Sequence, residues 1–409
     1  LSLFQLGNKK YNKATEWVRE HSFRIESLTE CNGEDFKFLE KVLKDKRVVW
    51  LGENGHGIAE HSLLKTKLIH FLYQKMGFKV IAFESGFVEG YSSNYMKEAL
   101  SVNELMDKSI FSLWKTEETY PLFELIKENS DLNLIGFDLQ PSVKKSSIVA
   151  FINQLNINFP SEFIRSIQKV ENTAISFYEQ IGIYKATRKK VPKEILNNYF
   201  KTKKEQDKLI IHLQTMLKYL KREFERNGLS KEYAVIQKAL ENRQLFLNHL
   251  ASRKRDFLKI RDRVMADNLE WICNELYPNE KIIIWAHNNH IYKNITSSYK
   301  PMGSLMSPKF ERQSYYLGLF MYQGEVTFDK KTTQKLEKPP KNSIEDYMNH
   351  NPSPVSFLDF SKASLNRVNK WISRNTVILD SGMIHTFIIP KKQLDGIFFV
   401  KEVSPSRHI

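Results

Sequence analysis

The sequence predicts an α/β protein: a mainly parallel sheet with helices on both faces and a large helical insertion or subdomain. Three observations carry this. Short apolar, β-branched runs at 47–52 (RVVWLG), 78–84 (FKVIAFE) and 281–286 (KIIIWA) have the character of strands buried on both faces. Helical patterns separate the first runs, as expected where crossover helices join parallel strands. A long middle region, 142–276, is helical almost throughout.

Taken in order, residues 1–45 read as helix and loop leading into the first strand. A turn follows that strand, then a helix at about 58–76. Leu64, Leu68, Phe71 and Leu72 share one face of it at the 3.6-residue period, and Gly77 suits its C-terminal cap. Helical segments around 89–100 and 118–129 bracket the approach to a further strand at 132–137. The helical region breaks near Pro160, Pro192 and Gly228. Beyond 281–286, strands are expected near 315–322, 377–380 and 396–400, with loops at 301–308 and 338–354. The resulting organisation is 1–141 as the first part of the α/β core, 142–276 as the helical insertion, and 277–409 as the second part of the core.

Composition narrows the functional classes. A chain of 409 residues with 41% hydrophobic and 12% aromatic residues can bury a sizeable core and is not disordered. No apolar run approaches the roughly 20 residues that cross a bilayer. The opening LSLFQLGNKK lacks the apolar core of a signal peptide, although the missing initiator Met is compatible with a leader removed earlier. Cys31 and Cys273 form neither a disulfide framework nor a metal-type spacing, which points to a reducing, cytoplasmic setting. Much of the +15 formal charge falls in 185–208, where nine basic residues face three acidic ones. Only Tyr199 and Phe200 are interleaved there, and no nucleic-acid motif accompanies the charge. The stretch reads as a solvated helical face, and no nucleic-acid partner is expected.

The chemistry-bearing residues gather at strand ends. The first strand runs into Glu53 and His56 (GENGHG), the second ends at Glu84 (FES), and the third at Asp138 (GFDLQ). The strand after the helical region ends at His287 and His290 (WAHNNH). Ligands of open α/β sheets bind just beyond the carboxyl ends of the strands, so these groups are candidates for one pocket. Gly52, Gly55 and Gly57 permit a tight turn and close backbone approach. His56 then suits a general base, with Glu53 or Glu84 fixing its tautomer from the other ring nitrogen. His287 and His290 can present further ring nitrogens to a carbonyl oxygen or a leaving group.

No G-x-S-x-G elbow, H-E-x-x-H helix or Gly-rich phosphate loop is present. Ser85 is the one serine at a suggestive strand end and is not expected to be a nucleophile. A histidine-activated water is therefore the simplest mechanism. Glu53, His56, Glu84, His287 and His290 are also residue types that zinc accepts, but the expected cofactor is none. Lys65 can direct a cation at the site, whereas Glu60 and His61 read as structural or surface residues. Arg261, at the head of RDRVMADNLEW, is either half of an exposed pair with Asp262 or a group with a substrate-side or scaffold role. Lys65, Asp138 and Arg261 are the candidate substrate-binding residues.

GENGHG with its amphipathic helix, FKVIAFES, GFDLQ, RDRVMADNLEW and WAHNNHI, taken in this order, resemble the successive blocks of the erythromycin esterase family. PMGSLMS, YYLGLFMYQGE and KPPKNSIEDY are similar to its later blocks. The resemblance implies hydrolysis of a macrolide lactone ester by activated water, with His56 as general base and no obligatory cofactor. It also implies roles for Glu53, Lys65, Glu84, His287 and His290. Asn54 and Gly55 stand where the family's first block commonly carries Ala and Thr, and Lys65 where an arginine would form a bidentate clamp.

The expected function is thus ester or lactone hydrolysis of a small-molecule substrate. The competing readings are a metal-dependent hydrolase built on the same cluster and a non-catalytic binding protein that uses its basic helical face.

Overall fold

The computed structural model describes residues 3–295, 298–327 and 332–409. Residues 1–2, part of the opening segment weighed as a leader, lie outside the described residues. The chain divides into two compact units, one of residues 1–81, 112–133 and 279–409, the other of 82–111 and 134–278.

The strands are β1 (Phe23–Ile25), β2 (Val48–Leu51), β3 (Phe78–Gly86), β4 (Asn133–Asp138), β5 (Lys281–Trp285), β6 (Ser314–Thr327), β7 (Thr333–Lys335), β8 (Val355–Asp359), β9 (Thr376–Asp380), β10 (Ile384–Ile388) and β11 (Gly396–Val403). In the first unit they lie in the order β1-β8-β11-β6-β2-β5, followed by the opening residues of β3, with β7 against β6. β2 runs parallel to both β5 and β6, and β6 parallel to β11. β8 closes this run antiparallel to β11 and to β1. All four residues of β2 are buried, as its unbroken apolar run requires of a central parallel strand.

The expected α/β class with a mainly parallel sheet therefore holds, and the structure adds antiparallel elements at one edge. β1 and β8 were not expected as strands. β1 is only three residues long, and β8 begins directly after the proline-broken 338–354 segment. That segment is not wholly loop, because Ile344–Asn349 forms a short helix capped by Ser343. The strand expected at 377–380 exists, but β9 pairs antiparallel with β10 in a separate two-stranded sheet.

The helix after β2 spans Ala59–Met76 and ends on Gly77 in the left-handed conformation, φ 72°. In the second unit, the remainder of β3 lies beside β4. The rest of that unit is dominated by helices Ser161–Ala186, Lys193–Arg226, Ser230–His249 and Lys254–Trp271. Pro160 and Pro192 stand at the N-caps of the first two, and Gly228 sits in the turn after the second. Proline is well suited to helix starts because the first backbone N–H groups lack partners there in any case. Among the described residues, no helix is long and apolar enough to cross a membrane.

Candidate active site

The register of two neighbouring strands assembles the first group of residues. Leu51 of β2 pairs with Trp285 of β5 in the parallel ladder. Two residues further along each strand stand Glu53 and His287, so both emerge at the same level of the sheet. The backbones remain tied beyond the strands, with Asn288 N–H donating to Glu53 O at 2.9 Å. Close approach here depends on glycine. A Cβ on Gly52 would lie 2.0 Å from Asn288 Oδ1, and one on Gly57 (φ +70°) only 1.6 Å from Thr327 O.

Glu53 is the centre of this group. Its Oε1 accepts from His56 Nδ1 at 2.7 Å and from Trp114 Nε1 at 2.9 Å, and its Oε2 accepts from Lys65 Nζ at 2.8 Å. Burial alone would raise the carboxyl pKa. The Lys65 ammonium and the His56 hydrogen bond outweigh burial and hold it well below the usual carboxylate range. Glu53 is thus an ionised acceptor, which requires the His56 proton to sit on Nδ1 and leaves an unprotonated Nε2 on the neutral ring. The His56 side chain is 34% exposed, against 2% for Glu53. Solvent can reach the imidazole but not the carboxylate that orients it.

The His56 and His287 rings meet edge to face, with centroids 5.0 Å apart. His287 caps the one-turn helix Asn288–Ile291, its Nδ1 accepting from Asn289 N–H at 3.1 Å. A backbone N–H can only donate, so Nδ1 carries the lone pair and the neutral ring's hydrogen is on Nε2. The two imidazoles consequently have opposite tautomers: one offers a base, the other a donor. His290 lies half-buried on the same short helix, three residues after His287.

Lys65, expected to aim a cation at substrate, is instead sealed from solvent, with its side chain 0% exposed. It also lies over the Trp285 ring, 3.9 Å from the centroid. Its influence on the site therefore passes through Glu53. His61, one turn earlier on the same helix, is buried, and burial lowers its pKa to about 4.

Glu84, Asp138 and Arg261 are brought together in the second unit. Arg261 Nε donates to Asp138 Oδ1 at 2.9 Å, and Nη2 donates to Glu84 Oε1 at 2.8 Å. Arg261 is thus a largely buried group with partners distant in sequence, and not half of an exposed pair. The adjacent carboxylates raise its pKa well above the ordinary value, against the opposing effect of burial. Of the two carboxylates proposed as the partner of His56, Glu53 makes the hydrogen bond. Ser85 is fully buried and accepts from Phe111 N–H at 3.1 Å.

Sequence reasoning missed Trp114, which lies in SLWKTEETY with no spacing signal to mark it as a donor to Glu53. It noted Asn54 only as a departure from the family's first block and passed over Asn289; the two stand between the acid–base groups of their loops. Among the described residues, no group of three or more His, Cys, Asp or Glu side chains is arranged to hold a metal ion. Both oxygens of Glu53 are already engaged by N–H donors, which fits that donor set poorly to a cation.

Fold and site together define an α/β protein whose parallel strand ends carry a carboxylate-oriented imidazole and a second imidazole beside it. A family model described as erythromycin esterase matches residues 73–403. The chain belongs to the erythromycin esterase family, which places it among hydrolases. It is 27% identical to a candidate hydrolase of Bacillus subtilis (strain 168), over 95% of this chain and 91% of that protein. It is 23% identical to the erythromycin esterase type II of Escherichia coli, over 96% and 98% of the two chains. A solved structure of an erythromycin esterase, a histidine mutant in its open conformation, shares the fold with a TM-score of 0.65 at 16% identity. That match covers 94% of this chain and 98% of the other.

Proposed function

We propose that this protein is a carboxylic-ester hydrolase in which His56 activates water. The observation that carries the reading is the 2.7 Å contact between Glu53 Oε1 and His56 Nδ1, which leaves the Nε2 lone pair as the base on a side chain that solvent reaches. In this mechanism Nε2 removes a proton from water as the oxygen attacks the ester carbonyl, and buried Glu53 stabilises the imidazolium that forms. The Nε2–H of His287 donates to the developing oxyanion. Collapse of the tetrahedral intermediate breaks the bond to the alkoxide, which takes a proton from the His56 imidazolium or from His290.

Glu84 and Asp138 hold Arg261, and a carboxylate paired with a guanidinium is a weak base. We therefore assign this trio a supporting role and leave the base to His56. The crowded N–H donors on Glu53 support chemistry without a metal. Macrolide lactones are the first substrates to try, given the names of the relatives, followed by simple lactones and aryl esters. The test is turnover of such a panel by the purified protein in ¹⁸O-water. One solvent oxygen in the product acid is expected. No turnover of any ester or lactone would overturn the proposal.

A further inference from the structure

The loops carrying His56 and His287 share a second anchor besides their neighbouring strands. The side-chain amide of Asn54 is buried in the GENGHG loop, with Nδ2 donating to Leu379 O at 2.7 Å and Oδ1 accepting from Ser381 N–H at 3.3 Å. The partners fix this orientation, since the carbonyl can only accept and the backbone N–H can only donate. From the other loop, Asn289 Nδ2 donates to Asp380 Oδ2 at 2.9 Å. Each asparagine stands between the acid–base residues of its own loop, and both reach the same few residues of the β9–β10 turn.

That turn is built to stay in place. Ser381 adopts φ 54° and Gly382 φ 70°. The left-handed conformation is unfavourable for serine, and the tight turn closed by Met383 N–H donating to Asp380 O demands it at both central residues. The N–H of Ser381, within this turn, is the one that Asn54 captures. On the strand side, Leu379 N–H donates to Glu345 Oε1 at 2.9 Å, which fixes the residue whose carbonyl receives Asn54. The loop passes close to the turn at Gly55, where an added Cβ would stand in van der Waals contact with Ser381 Cα at 3.4 Å.

We propose that the β9–β10 turn is a clamp that sets the relative position of the two histidine loops, with Asn54, Asn289 and Asp380 as positioning residues. The consequence for catalysis rests on the hydrolase reading above; the clamp itself does not. A small displacement between base and oxyanion donor costs rate far more than it costs substrate binding.

The test uses Asp380→Ala, which removes the acceptor of Asn289, and Asp380→Asn, which keeps an oxygen acceptor. Amide hydrogen exchange is followed over 52–57 and 286–291. Steady-state kinetics are measured on the best ester of the panel. Asp380→Ala should lower exchange protection in both segments by about tenfold, a local opening rather than global unfolding. It should also cut kcat by about tenfold while KM moves less than about twofold. Asp380→Asn should stay near wild type in both measurements. Loosening of 52–57, whose asparagine reaches other residues of the turn, is what a purely local contact would not produce. Wild-type protection in 52–57 after Asp380→Ala, or equal loss in Asp380→Asn, would overturn the clamp. If no ester is turned over, the hydrolase reading fails while the exchange result still decides the clamp. Should Asp380→Ala fail to fold, Asn289→Ala removes the same bond from the other side and is read by the same criteria.

Discussion

Lys65 Nζ lies 2.8 Å from Glu53 Oε2, in a pair whose side chains are 0% and 2% exposed. Breaking a buried pair by removing one partner leaves an uncompensated charge. Lys65→Met should therefore destabilise the fold by about 3–5 kcal/mol. It should also weaken the acceptor that holds His56 in its base tautomer. Urea denaturation measures the first effect and kcat on a true substrate the second. A variant as stable as wild type would show that the pair is dispensable.

His56→Asn should reduce kcat by at least roughly 100-fold, the usual scale for loss of acid–base catalysis. Circular dichroism and the urea midpoint should change little, because the ring is partly solvent-exposed. Retention of most activity would transfer the base role to another histidine.

Glu345 provides a stability test with a defined sign. Burial raises its pKa from 4.5 to about 7, although the Leu379 N–H bond works in the opposite direction. The folded state thus holds this proton where the unfolded state has released it. The associated stability is fully present below about pH 4.5 and is lost as pH rises through 7. Glu345→Gln should be insensitive over that window. Its stability relative to wild type should improve between pH 5 and 8 by at most about 3 kcal/mol, by the linkage of pKa to free energy. Urea midpoints at the two pH values measure this, and a constant difference would refute the raised carboxyl.

Arg261→Met should destabilise the second unit by several kcal/mol, on the order of 3–5, because Glu84 and Asp138 are left as buried like charges without this cation. Limited proteolysis of helix Lys254–Trp271 should report the opening. Unchanged resistance would mean that other donors satisfy both carboxylates.

The sequence made the strand ends legible because the central parallel strands are continuous apolar runs, as in VVWL and IIIW. The spacing of Glu53 and His56 was readable for a related reason: the contact is local and framed by glycines. β1 and β8 escaped notice because short antiparallel edge strands carry little periodicity. Trp114 and Asp380 escaped for a different reason. Each meets the site through long-range placement, and neither an indole in a polar stretch nor an aspartate closing an apolar strand carries a mark of its distant partner. Lys65 is expected from the sequence to direct a cation at the site, and nothing local to it signals its complete burial over Trp285, far along the chain.

The opposite tautomers of the two imidazoles make the site chemically asymmetric towards reagents as well as substrates. An acylating reagent such as diethyl pyrocarbonate needs a nitrogen lone pair that it can approach. On His287 that lone pair is committed to Asn289 N–H, on a side chain that is nearly buried. On His56 it is Nε2, on the ring that solvent reaches. Of two rings whose centroids are 5.0 Å apart, His56 is therefore the one expected to take the label.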